Sequence, residues 1–349
     1  GLAQVEGQAG RWRRSVQLYR EAAALSGGDP VLAEAAAAVD REHGSNVRLD
    51  AEHRESHGGD IVSPVTIDLG GIKAMARINE AWRMSLGVEA ASVHTAAVRR
   101  TSGALQPFSG HRERIDFSLQ HDALDGAVTV GSMFGGGGTV GLGLLRRQPD
   151  DWGSTSGTVE YHRLNWDYIE GIVDRAWRDR IAVARNQRFG GGLTGRADLG
   201  LNRYGFSGND SVGRSSTASA ELRYTGLAGV AGLSVAYGLD AEYVQRLDSY
   251  RTSTGLQFEP LPLRDREVHI ATLGYSRSFG ERLGGGAFSV NGYAGAGKDR
   301  FGGSGPIAAL ALGWARGAFS AQLRASHVRN IGRSRGTTDS IGAWAQFQF

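Results

Sequence analysis

Arg114 and Asp116, Arg196 and Asp198, Glu221 and Arg223, and Asp240 and Glu242 recur as charged residues two positions apart, and Arg324 stands in a similar polar–apolar alternation. Side chains two apart on an extended strand share a face. Each pair is therefore a small bed of guanidinium or carboxylate that can hydrogen-bond a hydroxyl-rich solute. Arg48, Asp50 and Glu52 repeat the pattern near the start of the same region. Mixed signs at this spacing make hydrogen-bonding walls without one dominant field. The alternative role is structural, with the pairs neutralising one another and bracing a wall.

Other chemistries have weaker footing. The chain has no cysteine, which excludes thiol catalysis, disulfides and cysteine-ligated zinc. Neither a GxSxG elbow nor an HExxH helix occurs. His53 and His57 in HRESH are four apart, but at a strand end such residues do not converge as they do on a helix, so they read as solvated. The run GGGG (135–138) lacks the lysine and hydroxyl of a phosphate loop. His111, Asp116 and Asp167 are the residues a hydrolase built on the outer rim of a barrel would use. No catalytic set, metal or cofactor is expected. A net charge of +3 and a pI of 9.3 are spread without a block of like charge, which argues against a nucleic-acid partner.

The charged pairs sit inside strands whose other face is apolar. In LTGRADLGLN (193–202), Leu193, Gly195, Ala197, Leu199 and Leu201 share one face and Thr194, Arg196, Asp198, Gly200 and Asn202 the other. The same split recurs at 113–120, 217–224, 233–243 and 319–326. Clear or weaker candidates total about 16, each near the 9–11 residues of a tilted membrane strand. The 53 glycines against 7 prolines suit a β-protein with many turns. Mean hydropathy is −0.29, and the longest apolar run, VLAEAAAAV (31–39), is too short to cross a bilayer as a helix. Neither fact bears on a β-barrel, whose polar residues hide in its lumen. An arginine facing lipid at mid-bilayer costs about 2–4 kcal/mol, so the charged faces should look inward.

The chain reads as an all-β membrane protein, an antiparallel transmembrane β-barrel of about 16 strands over 45–349, in preference to a soluble sandwich whose Ala- and Gly-rich faces would make a poor core. Tight turns at 122–126, 190–192, 225–229, 280–285 and 316–317 alternate with longer links at 98–112, 165–178, 204–215, 248–265, 298–305 and 329–337, the asymmetry of an outer-membrane barrel. Tyr204, Phe206, Tyr224, Tyr243, Phe279, Trp314, Phe347 and Phe349 fall near strand ends, as interfacial girdles require. Segment 266–278 mixes registers, and a β-bulge would reconcile Val268 and Ile270 with Leu273 and Tyr275. Pore-lining residues are expected at Arg114, Asp116, Arg196, Asp198, Glu221, Arg223, Asp240, Glu242 and Arg324. In the link 165–178, Trp166, Tyr168 and Trp177 could stack on sugar rings and gate the pore. The terminal SIGAWAQFQF should pair with 46–53 and close the cylinder. Its Phe347 and Phe349 are similar to the terminal signal of barrels inserted by the bacterial assembly machinery.

Residues 1–44 follow a helical period instead. GRWRRSVQLYREAAALSGGDP (10–30) and VLAEAAAAVDREHG read as two helices broken at Gly27-Gly28-Asp29-Pro30. Gly10, Trp12, Ser15, Tyr19, Ala22 and Pro30 resemble a tetratricopeptide (TPR) repeat. A partial repeat cannot bury its own face, and no signal peptide follows Gly1, so the sequence is expected to be the distal part of a longer chain.

TPR-like helices running into a barrel of this size, with the pieces RRQPDDWGS (146–154), YHRLNWDYIEGIVDRAWRDR (161–180) and AWAQFQF, resemble the TPR-linked outer-membrane exporters of secreted exopolysaccharides. The likeness is nearest to the Pel exporter PelB, with the poly-N-acetylglucosamine porin PgaA and the cellulose exporter BcsC as relatives. The resemblance implies passage of a biofilm exopolysaccharide from periplasm to cell exterior. It implies 1–44 in the periplasm, a modifying enzyme on upstream TPR repeats, and a lipoprotein ring resembling PelC at the periplasmic mouth. Outer-membrane lipid and the barrel assembly machinery complete the expected partners. For a cationic, partly deacetylated amino-sugar polymer, Asp116, Asp198, Glu221, Asp240 and Glu242 would offer sites. A general or substrate-specific diffusion porin and an outer-membrane barrel hydrolase are the rival readings.

Overall fold

A computed structural model describes residues 1–8, 11–124, 126–135, 139–206, 211–281 and 286–349. Gly10, the glycines at 136–138, and parts of the connections at 125, 207–210 and 282–285 lie outside the described residues. Three helices come first: α1 (Leu2–Gln8), α2 (Trp12–Leu25) and α3 (Pro30–Glu42). Asp29 caps α3 by accepting from the Val31 N–H at 2.8 Å, and Pro30 occupies the first helical position, where its missing N–H costs nothing. Helix α1 was not legible in the sequence.

The strands follow as β1 (Asn46–His57), β2 (Val65–Arg77), β3 (Trp82–Arg99), β4 (Leu105–Asp122), β5 (Ala127–Gly135), β6 (Thr139–Asp150) and β7 (Gly153–Leu164). A short helix α4 (Ile169–Asp174) precedes β8 (Ala176–Gly190), β9 (Leu193–Phe206), β10 (Ser211–Thr225) and β11 (Leu233–Leu247). A minor hairpin, β12 (Tyr250–Arg251) and β13 (Gln257–Phe258), sits in the following loop. Then come β14 (Arg266–Glu281), β15 (Gly286–Asp299), β16 (Gly302–Arg316), β17 (Phe319–Arg329) and β18 (Thr337–Gln348). All but β12 and β13 form one closed antiparallel barrel, 16 strands in all. Closure is the β1–β18 ladder, from Asn46↔Gln348 to His57↔Thr337, and the Phe349 N–H donates to the Ser45 carbonyl at 2.9 Å. Among the described residues the barrel sheet has no unpaired edge, which is what hydrocarbon requires of a sheet.

The two faces separate as the charge argument demands. Leu199 is 64% exposed on the outer wall, with Leu201, Ile181 and Val183 beside it, while Arg180 and Asp198 meet inside. An exposed apolar surface of this extent is one that lipid must cover. Tyr224, Tyr243, Phe279, Phe347 and Phe349 lie exposed near strand ends. Tyr204 and Phe206 do not join them. They fall on the same side of β9 as Asp198, so they point into the barrel, where loops bury them. Segment 266–278 also departs from expectation: β14 pairs with β11 and β15 without a register shift. Val268 and Ile270 face inward with Arg266 because apolar loop residues, not water, fill that end of the lumen. The links expected at 98–112 and 298–305 shrink to 100–104 and 300–301 because the flanking strands run on.

Helices α2 and α3 abut the short-turn rim. Trp12, 5% exposed, stacks on His43 at 4.6 Å and lies under the guanidinium groups of Arg77 and Arg83 at 5.3 and 5.7 Å. Arg77 also pairs with Asp40 at 2.6 Å, Arg13 donates to the Asp122 carbonyl at 2.6 Å, and Arg11 reaches Asp151 at 2.8 Å.

Candidate functional site: the lumen and its inward-folded loops

A cavity of about 1110 Å³ occupies the lumen against β1–β8. Its walls carry ion pairs, some between adjacent strands and some reaching farther round the barrel. Arg114 meets Glu89 at 2.6 Å, Arg163 meets Asp116 at 2.8 Å, and Arg324 meets Glu52 at 2.5 Å. Arg178 holds both Glu160 at 3.2 Å and Asp167 at 3.0 Å. Arg180 binds Asp198, Asn202 and Thr217. Farther round, Glu221 takes Arg223 at 3.1 Å and Asp240 takes Arg266 at 2.9 Å. Arg196 is exposed on the same face as Asp198. Every expected pore-lining residue thus lies on an inward face. The five carboxylates read as sites for a polycation, Asp116, Asp198, Glu221, Asp240 and Glu242, are each held by an arginine, so they brace the wall rather than stand open.

The end of the barrel carrying the longer loops is filled. Loop 165–175 turns inward, and Ile172 and Val173 of α4 pack against Val65 and Ile67 of β2 and Ala91, Val93 and Val98 of β3. Leu261 and Leu263 of loop 248–265 join Tyr168, Ala176, Tyr204, Phe206 and Val212 in a second apolar cluster. Ile331 of loop 330–336 is buried close to Gly297, opposite Ile270. Burial pushes the pKa of the Tyr168 hydroxyl and of the Glu170 carboxyl up, favouring their uncharged forms.

One buried polar group ties these loops to the wall. Glu242, 1% exposed, accepts hydrogen bonds from Ser215 at 2.7 Å, Tyr204 at 2.8 Å and Tyr168 at 3.4 Å, and it pairs with Arg333. Arg333 also donates to the Tyr168 hydroxyl at 2.8 Å and lies 5.5 Å over that ring. Two loops and three strands converge on a single carboxylate. Arg333 was not foreseen: it sits in a polar loop, 91 residues from its partner, and no local pattern marks it.

The three aromatics expected to act together are divided by the structure. Trp166 borders the cavity with the Arg114 guanidinium 4.2 Å over its ring, and Tyr168 belongs to the Glu242 group. Trp177 lies on β8, on the side of Ile181 and Val183 and opposite the lumenal Arg178 and Arg180. It is 4% exposed, stacked on His162 at 4.0 Å and seated over Gly205, where a Cβ would leave it no room. Strand alternation therefore places Trp177 away from any solute in the pore. The same rule separates the hydrolase trio: His111 falls with Ile115 and Phe117 on the outer face of β4, whereas Asp116 faces the lumen. His53 likewise faces outward, bound to Asp68 at 2.7 Å. Two lumenal aromatics escaped the sequence reading. Trp344 donates to Gln322 at 3.0 Å beneath the Arg48 guanidinium, and Tyr293 stands on β15.

No protein-family model and no curated protein matches this chain in sequence. Among solved structures it is similar to one described as a bacterial polysaccharide outer membrane secretin, with a TM-score of 0.62 and 10% identity over 88% of this chain and 98% of that one. Salmonella typhi OmpF in complex with daunomycin aligns with a TM-score of 0.42 and 12% identity over 87% and 97% of the two chains. Acinetobacter baumannii OccAB3 aligns with a TM-score of 0.39 and 10% identity over 87% and 99%. At such identities the likeness is one of fold, and the first of these carries it. The chain has the fold of an outer-membrane β-barrel, closed at 16 strands.

Proposed function

We propose that the protein is an outer-membrane channel through which a secreted exopolysaccharide leaves the cell, entering at the short-turn mouth and passing a loop gate at the other. The observation that carries this reading is the wide lumen with ion-paired walls, closed at one end by three inward-folded loops, two of which are joined at Glu242. A barrel of this strand number encloses water rather than a packed core. Among the described residues these three loops bring together apolar side chains and the Glu242 group, so their inward packing makes sense as a barrier that parts for a large solute. The likeness to a barrel described as a polysaccharide secretin supports the same cargo class. On this reading α1–α3 belong to a periplasmic TPR array that receives a polymer-modifying enzyme, with a lipoprotein ring at the same mouth. The biofilm systems for Pel, poly-N-acetylglucosamine and cellulose are the relevant class.

Two measurements test it together. Deleting 165–175 should raise single-channel conductance in planar bilayers, and deleting the gene in its own host should strand polymer inside the envelope. Unchanged conductance would discard the gate. Normal surface polymer, with uptake of free sugars by a trimeric protein, would replace export by diffusion.

A further inference from the structure

The lumen has two unlike walls. On β1, β3, β4 and β7–β10 its inward positions carry ion pairs. From Thr272 on β14 to Gln322 on β17 they are mostly glycine, alanine, hydroxyl or amide residues, with Ile307 on β16, Arg324 on β17 and one exposed ring, Tyr293. A cavity of about 650 Å³ lies over this second wall, within the size range of small-molecule sites; Arg324 stands at its β17 side, paired with Glu52, and Arg54 and Arg223 also border it.

Tyr293 is 38% exposed, and its ladder partners are Gly274 and Ala309, so nothing bulky beside it shields the ring. Flat aromatic faces of this kind stack on the C–H face of a pyranose, while the phenol stays wet. Two amides line the same cavity with defined orientations, Asn291 next to Tyr293 on the inward face of β15 and Gln322 farther along on β17. The Asn291 oxygen accepts from Ser276 at 2.5 Å, and the Gln322 oxygen accepts from Trp344 at 3.0 Å. Each amide therefore turns its N–H groups toward the water, as donors for a hydroxyl or an acetamido carbonyl. The charges facing this wall carry no spare carboxylate. Glu52 is shared by Arg54 and Arg324, and Glu221 is taken by Arg223, so the local balance is positive. An ammonium group brought here would lose hydration without gaining an anion.

We propose that this wall is a glycan track that selects uncharged pyranose units, bearing hydroxyl or N-acetyl groups, over units with free amines. The inference rests on the export reading and sharpens its cargo: the polymer crosses the lumen with its amino groups acylated or absent.

The test uses the full chain in detergent, with hexamers of N-acetylglucosamine and of glucosamine as probes in equilibrium binding. The acetylated hexamer should bind at least about tenfold more tightly. Tyr293→Ala should weaken it about fivefold, as the loss of one stacked ring would, while Tyr293→Phe should bind as wild type. Heat-modifiable gel migration and β-type circular dichroism confirm that each variant is folded. Equal or tighter binding of the glucosamine hexamer, or an unchanged affinity in Tyr293→Ala, would overturn the track. Binding of neither hexamer by a protein that still exports polymer would overturn it too and leave export standing. Normal export by cells lacking the gene would instead remove the reading on which it rests.

Discussion

Arg333, which the charge pattern did not single out, ties loop 330–336 to Glu242 of the barrel wall and to Tyr168. Its partner Glu242 is 1% exposed, and a buried carboxylate stripped of its cation is destabilising by about 3–5 kcal/mol. Arg333→Ala should therefore release loop 330–336, and the Tyr168 hydroxyl bond should go with it. Single-channel recordings should show a larger or more frequent open state, while Arg333→Lys, which keeps the charge but not the planar fork, should fall between. A conductance trace identical to wild type would mean that apolar loop packing alone closes the pore. Glu242 and Tyr168 were both singled out in the sequence, one as a pore-lining residue and one as a sugar-stacking gate residue, 74 positions apart. Nothing in a one-dimensional pattern says that they touch.

At the scale of elements, alternation did most of the sorting, and it failed where the lumen stops being wet. Val268, Ile270, Tyr204 and Phe206 look misplaced on inward faces only if water is assumed to lie behind them. Loops 165–175, 248–265 and 330–336 supply an apolar filling instead. The helical head poses the reverse problem, since its docking depends on one ring. Trp12→Ala would empty the space between His43, Arg77 and Arg83, at a cost of about 3 kcal/mol by analogy with core aromatics. Protease nicking between 1 and 44 should then appear in a folded barrel. Burial, reinforced by the nearby Arg83 charge, holds the His43 pKa below its ordinary value. A base with a depressed folded pKa stabilises docking above the usual imidazole value of about 6.5, and that contribution fades as pH falls through the lowered folded value. Acid should thus mimic Trp12→Ala, with nicking that rises below neutrality and is suppressed in His43→Gln. Flat pH dependence would place the anchor in the Asp40–Arg77 and Arg13 contacts instead.

The whole molecule is a cylinder whose outer wall exposes Leu, Val, Ile and aromatic side chains around a lumen of ion pairs. Such a surface is stable only under lipid or detergent. Purified protein should be monodisperse with β-type circular dichroism in detergent and should aggregate when the detergent is dialysed away. A monodisperse, detergent-free solution would contradict the membrane assignment. The strand period, the mixed-charge faces and the alternation up to Phe349 determined from sequence alone that the chain forms a barrel of about 16 strands with its charges inside. Those are local properties, fixed by side-chain spacing along a strand. Only the tertiary structure decided which arginine neutralises each carboxylate, that Trp177 faces away from the pore, and that two loops meet at Glu242. Those depend on register and on loops folding across a cavity, and both are set by contacts between residues far apart in the chain.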